Sequence, residues 1–174
     1  MNKIIEEAID RTQKEIKRFR NKILSESDFE RMLAKHLENV LLENDGDFSV
    51  HTQVSYYDVK GKQNNPKYRV DILLMKEADA LHCKQLNKSF MYSDTSYPIE
   101  VKYLHKQNTL KGVFCDFNKA YSLLNIKGNM YVVVLFDKKN PQKDKNIEKK
   151  YKEVLAGLNE SQKRLKYRLL YKEE

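Results

Sequence analysis

Three ionisable residues interrupt segments that are otherwise apolar. Asp71 sits in "YRVDILLM", and Glu100 and Lys102 sit in "SYPIEVKYLHK". A strand has period two, so Glu100 and Lys102 share one face while Ile99, Val101 and Tyr103 take the other. Burying an acid and an amine costs several kcal/mol unless something compensates. One compensation is a plain ion pair: Glu100 with Lys102 on one face of a sheet edge, and Asp71 with Arg69 or Lys102. The other is a shared metal ion. If the two strands are neighbours, all three side chains meet at one spot. Two carboxylates there repel, and one tends to stay protonated. A divalent cation removes that conflict. Carboxylate oxygens suit magnesium, with manganese as a substitute, and magnesium keeps several waters and takes substrate phosphate. The backbone carbonyl of Val101 is a further ligand within reach. Lys102 then stands where it can orient a water, help deprotonate it, or steady charge on a phosphate oxygen. Asp71, Glu100 and Lys102 together suit attack of water on a phosphodiester.

The surrounding pattern supplies elements to hold these residues. Residues 3–24 carry Ile4, Ile5, Ala8, Ile9, Ile16, Phe19 and Ile23 at roughly helical spacing. A second helix follows in "SDFERMLAKHLENVLLEN", with Phe29, Leu33, Leu37, Val40 and Leu41 as one stripe. Ser27 as N-cap and Glu30 three residues on make a capping box. "FSVHTQVSYYDV" (48–59) alternates as a strand. "KYRVDILLMK" (67–76) is apolar on both faces and reads as a central strand. Residues 77–95 fit either a short helix or the outer part of a hairpin. A strand follows at 97–104, opened by Pro98. Residues 112–125 read as a helix, 130–136 as a buried strand and 147–158 as a helix. "KYRLLYK" near the end fits a strand or a helical turn. The whole reads as one mixed sheet with helices packed on it.

Totals bound the rest. The chain has 174 residues, 40% hydrophobic and 33% charged, enough for one folded domain over 1–174. No run of about 18 apolar residues marks a membrane span. The charged N-terminus lacks the apolar stretch of a signal peptide. Cys83 and Cys115 form neither a disulfide framework nor a zinc site, so a reduced, cytoplasmic setting is expected. The net charge of +8 favours a polyanion partner. The segment 138–174 holds twelve Lys/Arg against six Asp/Glu, which fits either a solvated helix face or a phosphate-contacting surface. "VKGKQNN" lacks the glycines and Ser/Thr of a phosphate loop. His36 lies on the apolar side of its helix and reads as a packed core residue. His51, His82 and His105 show no ligand spacing.

The segments "RVDILL" and "YPIEVKY" together resemble the PD-(D/E)xK nuclease superfamily, the fold of many restriction endonucleases, junction resolvases and repair nucleases. Asp71 matches its first acid, Glu100 the second and Lys102 the lysine. The signature proline is absent, since Val70 precedes Asp71. The matched core runs from about 26 to 136, with helix 3–24 and segment 138–174 as additions. The resemblance implies a restriction-endonuclease-like three-layer α/β core with a mixed central sheet flanked by helices. It implies a magnesium-dependent endonuclease acting on DNA; a chain this small has room for one site, so a homodimer or a larger partner is expected. It also implies an acid on the helix before the first strand: Glu30, or alternatively Glu38. Polar residues after the E-x-K strand, Gln107, Asp116 and Lys119, become contacts to the site or to nucleic acid. The competing expectation is a catalytically silent nuclease-fold module that binds nucleic acid or a protein.

Overall fold

The computed structural model describes residues 1–19, 22–44, 46–57, 68–85, 90–91, 96–105, 110–124, 129–158 and 164–173. Six strands form one sheet: β1 (Phe48–Tyr57), β2 (Tyr68–Lys76), β3 (Phe90–Met91), β4 (Tyr97–Leu104), β5 (Met130–Lys138) and β6 (Leu165–Glu173). Their order is β3-β1-β2-β4-β5-β6. β1–β2 and β2–β4 are antiparallel, and β4–β5 and β5–β6 are parallel. The sheet is therefore mixed, with β2 and β4 inside it, as the apolar character of both segments requires. "MYVVVLF" is buried along its whole length in β5.

Helices α1 (Asn2–Arg18) and α2 (Glu26–Glu43) cover one face. They bury Ile5, Ala8, Ile9 and Ile16 from α1 and Phe29, Leu33, Leu37 and Val40 from α2 against Ile72, Leu74, Ile99 and Val101. α4 (Lys111–Leu124) and α5 (Pro141–Ala156) cover the other. Val113, Phe117, Ile147 and Val154 meet Val70, Leu73, Val132 and Val134 there. The result is the three-layer α/β arrangement with a mixed central sheet that the sequence pattern implies. α3 (Glu77–Gln85) and the short β3 fill the stretch whose pattern was ambiguous. "KYRLLYK" resolves as β6, whose Arg168 reaches Glu6 and Asp10 on α1. The Gln13 side-chain amide brackets the main chain of Tyr171: its Nε2 donates to the Tyr171 carbonyl at 2.9 Å and its Oε1 accepts the Tyr171 N–H at 3.0 Å. α1 and β6 are thus built into the body of the sheet and its cover. His36 is packed as expected, with Nε2 at 2.9 Å from Glu15 on α1.

One helix end and two helix starts differ from the sequence reading: α1 stops at Arg18 with Phe19 as its C-cap, short of the expected 3–24. α5 begins at Pro141, capped by Asn140, whose side chain accepts the Lys143 N–H. Its first turn is polar all round, which hid it from a hydrophobic period; the Asn-Pro pair was the available signal. α2 is capped by Ser25, not Ser27. Ser25 Oγ accepts the Asp28 N–H at 3.1 Å, and the Asp28 carboxylate accepts the Ser25 N–H at 3.0 Å. Two overlapping capping boxes were written in "SESDFE", and the earlier one forms. Glu30 is thereby freed from capping, and it lies 6% exposed.

Candidate active site

The site forms where the ladder between β2 and β4 stops. The register pairs Leu74 with Tyr97, Leu73 with Pro98 and Ile72 with Ile99. One step further it sets Asp71 opposite Glu100, but no ladder bond continues. Instead Asp71 Oδ2 accepts the Val101 N–H at 2.9 Å. On the other side of β2, Thr52 pairs with Ile72 and Val54 with Val70, so Gln53 of β1 faces Asp71. Gln53 has φ 55°, the left-handed region that only glycine enters freely. Gln53, Asp71 and Glu100 therefore make one row across three strands, with irregular pairing on both sides of Asp71. Irregular pairing opens the space a polar site needs.

Side chains from two helices close on this row. Glu30 of α2 accepts a hydrogen bond from Gln53 Nε2. Burial raises the Glu30 carboxyl above its ordinary range; Asp71 and Glu26 add to this, against the Gln53 bond and Arg69. Glu100 is 2% exposed. Burial, with Asp71 and Asp116 adding, pushes its carboxyl up to about 8 despite Lys119. Lys119 of α4 donates both to Glu100 Oε1 and to the Arg69 carbonyl of β2. Asp116, one turn earlier on α4, is 7% exposed. Burial pushes it up to about 6, against the pull of Lys102 and Lys119. Its Oδ2 has no hydrogen-bond partner.

Lys102 donates to Glu26 Oε1 at 3.0 Å and lies 3.7 Å from Asp116 Oδ2. The other oxygen of Glu26 accepts the Tyr103 N–H at 3.2 Å. Burial alone would lower the Lys102 ammonium, but Asp116, the Glu26 hydrogen bond and Asp71 outweigh it. They hold it well above the ordinary lysine range. Lys102 therefore stands as a cation between Glu26 and Asp116.

Of the residues singled out from sequence, Asp71, Glu100, Lys102, Val101 and Glu30 meet here. Glu100 and Lys102 do not pair with each other: each has a different partner, from α4 and α2 respectively. Glu38 lies exposed two turns along α2. Asp116 and Lys119 face inward onto Lys102 and Glu100 rather than outward toward a polyanion, because α4 lays that side on the sheet. Gln107 lies outside the described residues. Glu26 and Gln53 belong to the cluster and escaped sequence reading. Glu26 had a signal, since it lies one turn before Glu30 on the same helix face.

Oxygen donors only, several of them buried with raised carboxyls, are the donor set of a hard divalent cation. As they stand, no three His, Cys, Asp or Glu side chains among the described residues converge closely enough to hold one. The oxygens are engaged instead: Asp71 by the Val101 amide, Glu30 by Gln53, Glu100 by Lys119. Magnesium needs only one or two protein carboxylates, so Asp71 and Glu100 still fit it chemically.

No protein-family model matches the sequence, and no curated protein does. Among solved structures the chain is similar to that of Pyrococcus furiosus SfsA in complex with Ca2+. The two share 10% sequence identity with a TM-score of 0.38, over 81% of this chain and 57% of that one. The chain thus spans less than two thirds of that protein's length. No helix among the described residues is long and apolar enough to cross a membrane.

Proposed function

We propose that the chain is a metal-dependent endonuclease that hydrolyses phosphodiester bonds, in DNA, by attack of water. One observation carries this reading: Asp71 and Glu100 lie opposite each other across the β2–β4 gap, with Lys102 two residues on and no continuing ladder between them. A purely structural pair of strands gains nothing from that break. The match of "RVDILL" and "YPIEVKY" to the PD-(D/E)xK signature supports the same reading.

Asp71, Glu100 and the Val101 carbonyl would hold magnesium, with Glu30 at the far side of Asp71. When bound, the ion would supply charge for the phosphate and acidity for a water. The chain's own residues do the rest. Glu26 and Asp116 fix the Lys102 ammonium, which steadies charge developing on a phosphate oxygen. The basic balance of the chain draws the polyanion in. A chain of this size offers one such site, so cutting both strands of a duplex calls for a homodimer, a larger partner or successive nicks.

The silent-module reading has one observation on its side, since Lys119 already neutralises Glu100 without a metal. Cleavage separates the two. Supercoiled plasmid and single-stranded DNA with magnesium should be cut by the wild type, and the rate should fall by roughly 10²–10³-fold or more in Asp71→Ala and in Lys102→Ala. Undiminished cleavage by both variants sinks the mechanism.

A further inference from the structure

Lys119 does two things at once. Its ammonium meets a carboxylate oxygen of Glu100 and the carbonyl of Arg69, bridging β4 and β2 across the opening beside Asp71. The Glu100 side chain is buried and that of Lys119 half-buried, at 3% and 16% exposed. The cluster around them holds five carboxylates, Glu26, Glu30, Asp71, Glu100 and Asp116, against two ammonium groups, Lys102 and Lys119. Lys102 is engaged by Glu26 and Asp116. Lys119 is the group that supplies Glu100 with a positive charge.

We propose that Lys119 is a resident counter-cation: its ammonium and a divalent metal compete for Glu100, and the metal binds only as Lys119 withdraws. This rests on the reading of Glu100 as a metal ligand. The physical reason is simple. An ammonium and a doubly charged ion repel strongly at one oxygen in a site of low dielectric. A lysine carries its charge on a flexible four-carbon stem, so it can swing out toward solvent where a planar guanidinium or a β-branched residue could not. The exchange also explains why the acids do not converge as they stand. Glu100 is turned to α4, and its release from Lys119 is what lets it turn to Asp71. The same lysine, once withdrawn, remains tethered beside the row.

Calorimetric titration of the intact chain with Mn2+ tests this, with thermal denaturation alongside as a readout independent of any cleavage. Lys119→Met removes the charge and keeps the stem; Lys119→Gln keeps a hydrogen-bond donor and removes the charge; Lys119→Arg keeps the charge. The two neutral variants should bind Mn2+ about tenfold more tightly than the wild type or better, since a hydrogen bond to a charged group no longer has to be broken. Mn2+ should raise their melting temperature more than it raises that of the wild type. Lys119→Arg should bind no more tightly than the wild type. Adding Glu100→Gln to Lys119→Met should erase the gain. If the wild type binds Mn2+ and both neutral variants bind it equally or more weakly, Lys119 is a strut and the counter-cation idea is overturned while the metal site stands. If no form binds Mn2+, both ideas fall together.

Discussion

β4 carries two polar clusters, one on each side of its own backbone, and they are settled in opposite ways. On one side stand Glu100 and Lys102, with Asp116 and Lys119 brought by α4. On the other, Tyr103 and His105 meet Asp137 of β5 and Lys172 of β6. The Tyr103 hydroxyl donates to Asp137 at 2.6 Å and accepts from Lys172 at 2.7 Å. Lys172 also donates to the Ile23 carbonyl at 2.9 Å, and His105 Nδ1 lies 3.3 Å from Asp137. Burial works against the Asp137 carboxylate, but Tyr103, Lys172 and His105 outweigh it and hold it below its ordinary range. Asp116 and Glu100, on the other side, are pushed up to about 6 and about 8. A polar network that serves the fold satisfies its acids. The other cluster keeps its acids uncomfortable, with one oxygen of Asp116 in an ion pair with Lys102 but without a hydrogen bond. Discomfort of that kind is retained where a ligand or a reaction relieves it.

Stability measurements can break or sharpen this contrast. The largest effect belongs to the settled side. Asp137→Ala removes the acceptor of the Tyr103 hydroxyl and the counter-charge of Lys172, and should cost about 3 kcal/mol in urea unfolding. Asp116→Asn, on the uneasy side, should cost nothing or add stability near neutral pH. If the two substitutions cost the same, the clusters do not differ as described.

A pH series comes next in size. Glu100 titrates near 4.5 when unfolded and at about 8 in the fold, so the folded chain binds the extra proton between those values. Its contribution is complete below about pH 4.5 and disappears as pH rises through about 8. In chelator, stability should therefore decline across that window, by roughly 2 kcal/mol or more from Glu100. Glu100→Gln should flatten the decline. A wild-type profile that is flat or rising between those limits, and unchanged in the variant, contradicts the assignment of a raised Glu100.

The smallest effect concerns the irregular residue in the row. Gln53→Gly relieves a left-handed backbone at a non-glycine residue and should gain under about 1 kcal/mol, despite loss of the Glu30 hydrogen bond. A clear loss would mean that the side chain, not the strain, dominates there.

How far the sequence could be read follows from what each element depends on. α2, β4 and β5 were legible because burial on one or both faces is written in their residue types. β4 was bounded correctly at 97–104, and the apolar run 130–136 sits wholly within β5. The start of α5 was not, since its first turn touches nothing apolar. Asp71, Glu100 and Lys102 could be paired in advance because polar residues inside apolar strands demand a reason. Gln53 could not: its role comes from a backbone angle and from the register of β1 on β2, and neither leaves a mark in composition. Glu30 was visible as an acid but credited to the wrong cap, because "SESDFE" offers two serines and two acids at the same spacing.

The link between α1 and β6 also bears on when this molecule is finished. Arg168 joins Glu6 across 162 residues and Tyr171 joins Gln13 across 158. Contacts of that span close late, because the intervening chain must first be ordered. Until β6 pairs, Glu6 and Asp10 of α1 lack Arg168 opposite them. The layer that carries Glu26 and Glu30 thus gains its tie to β6 only after the strands between them have taken their places.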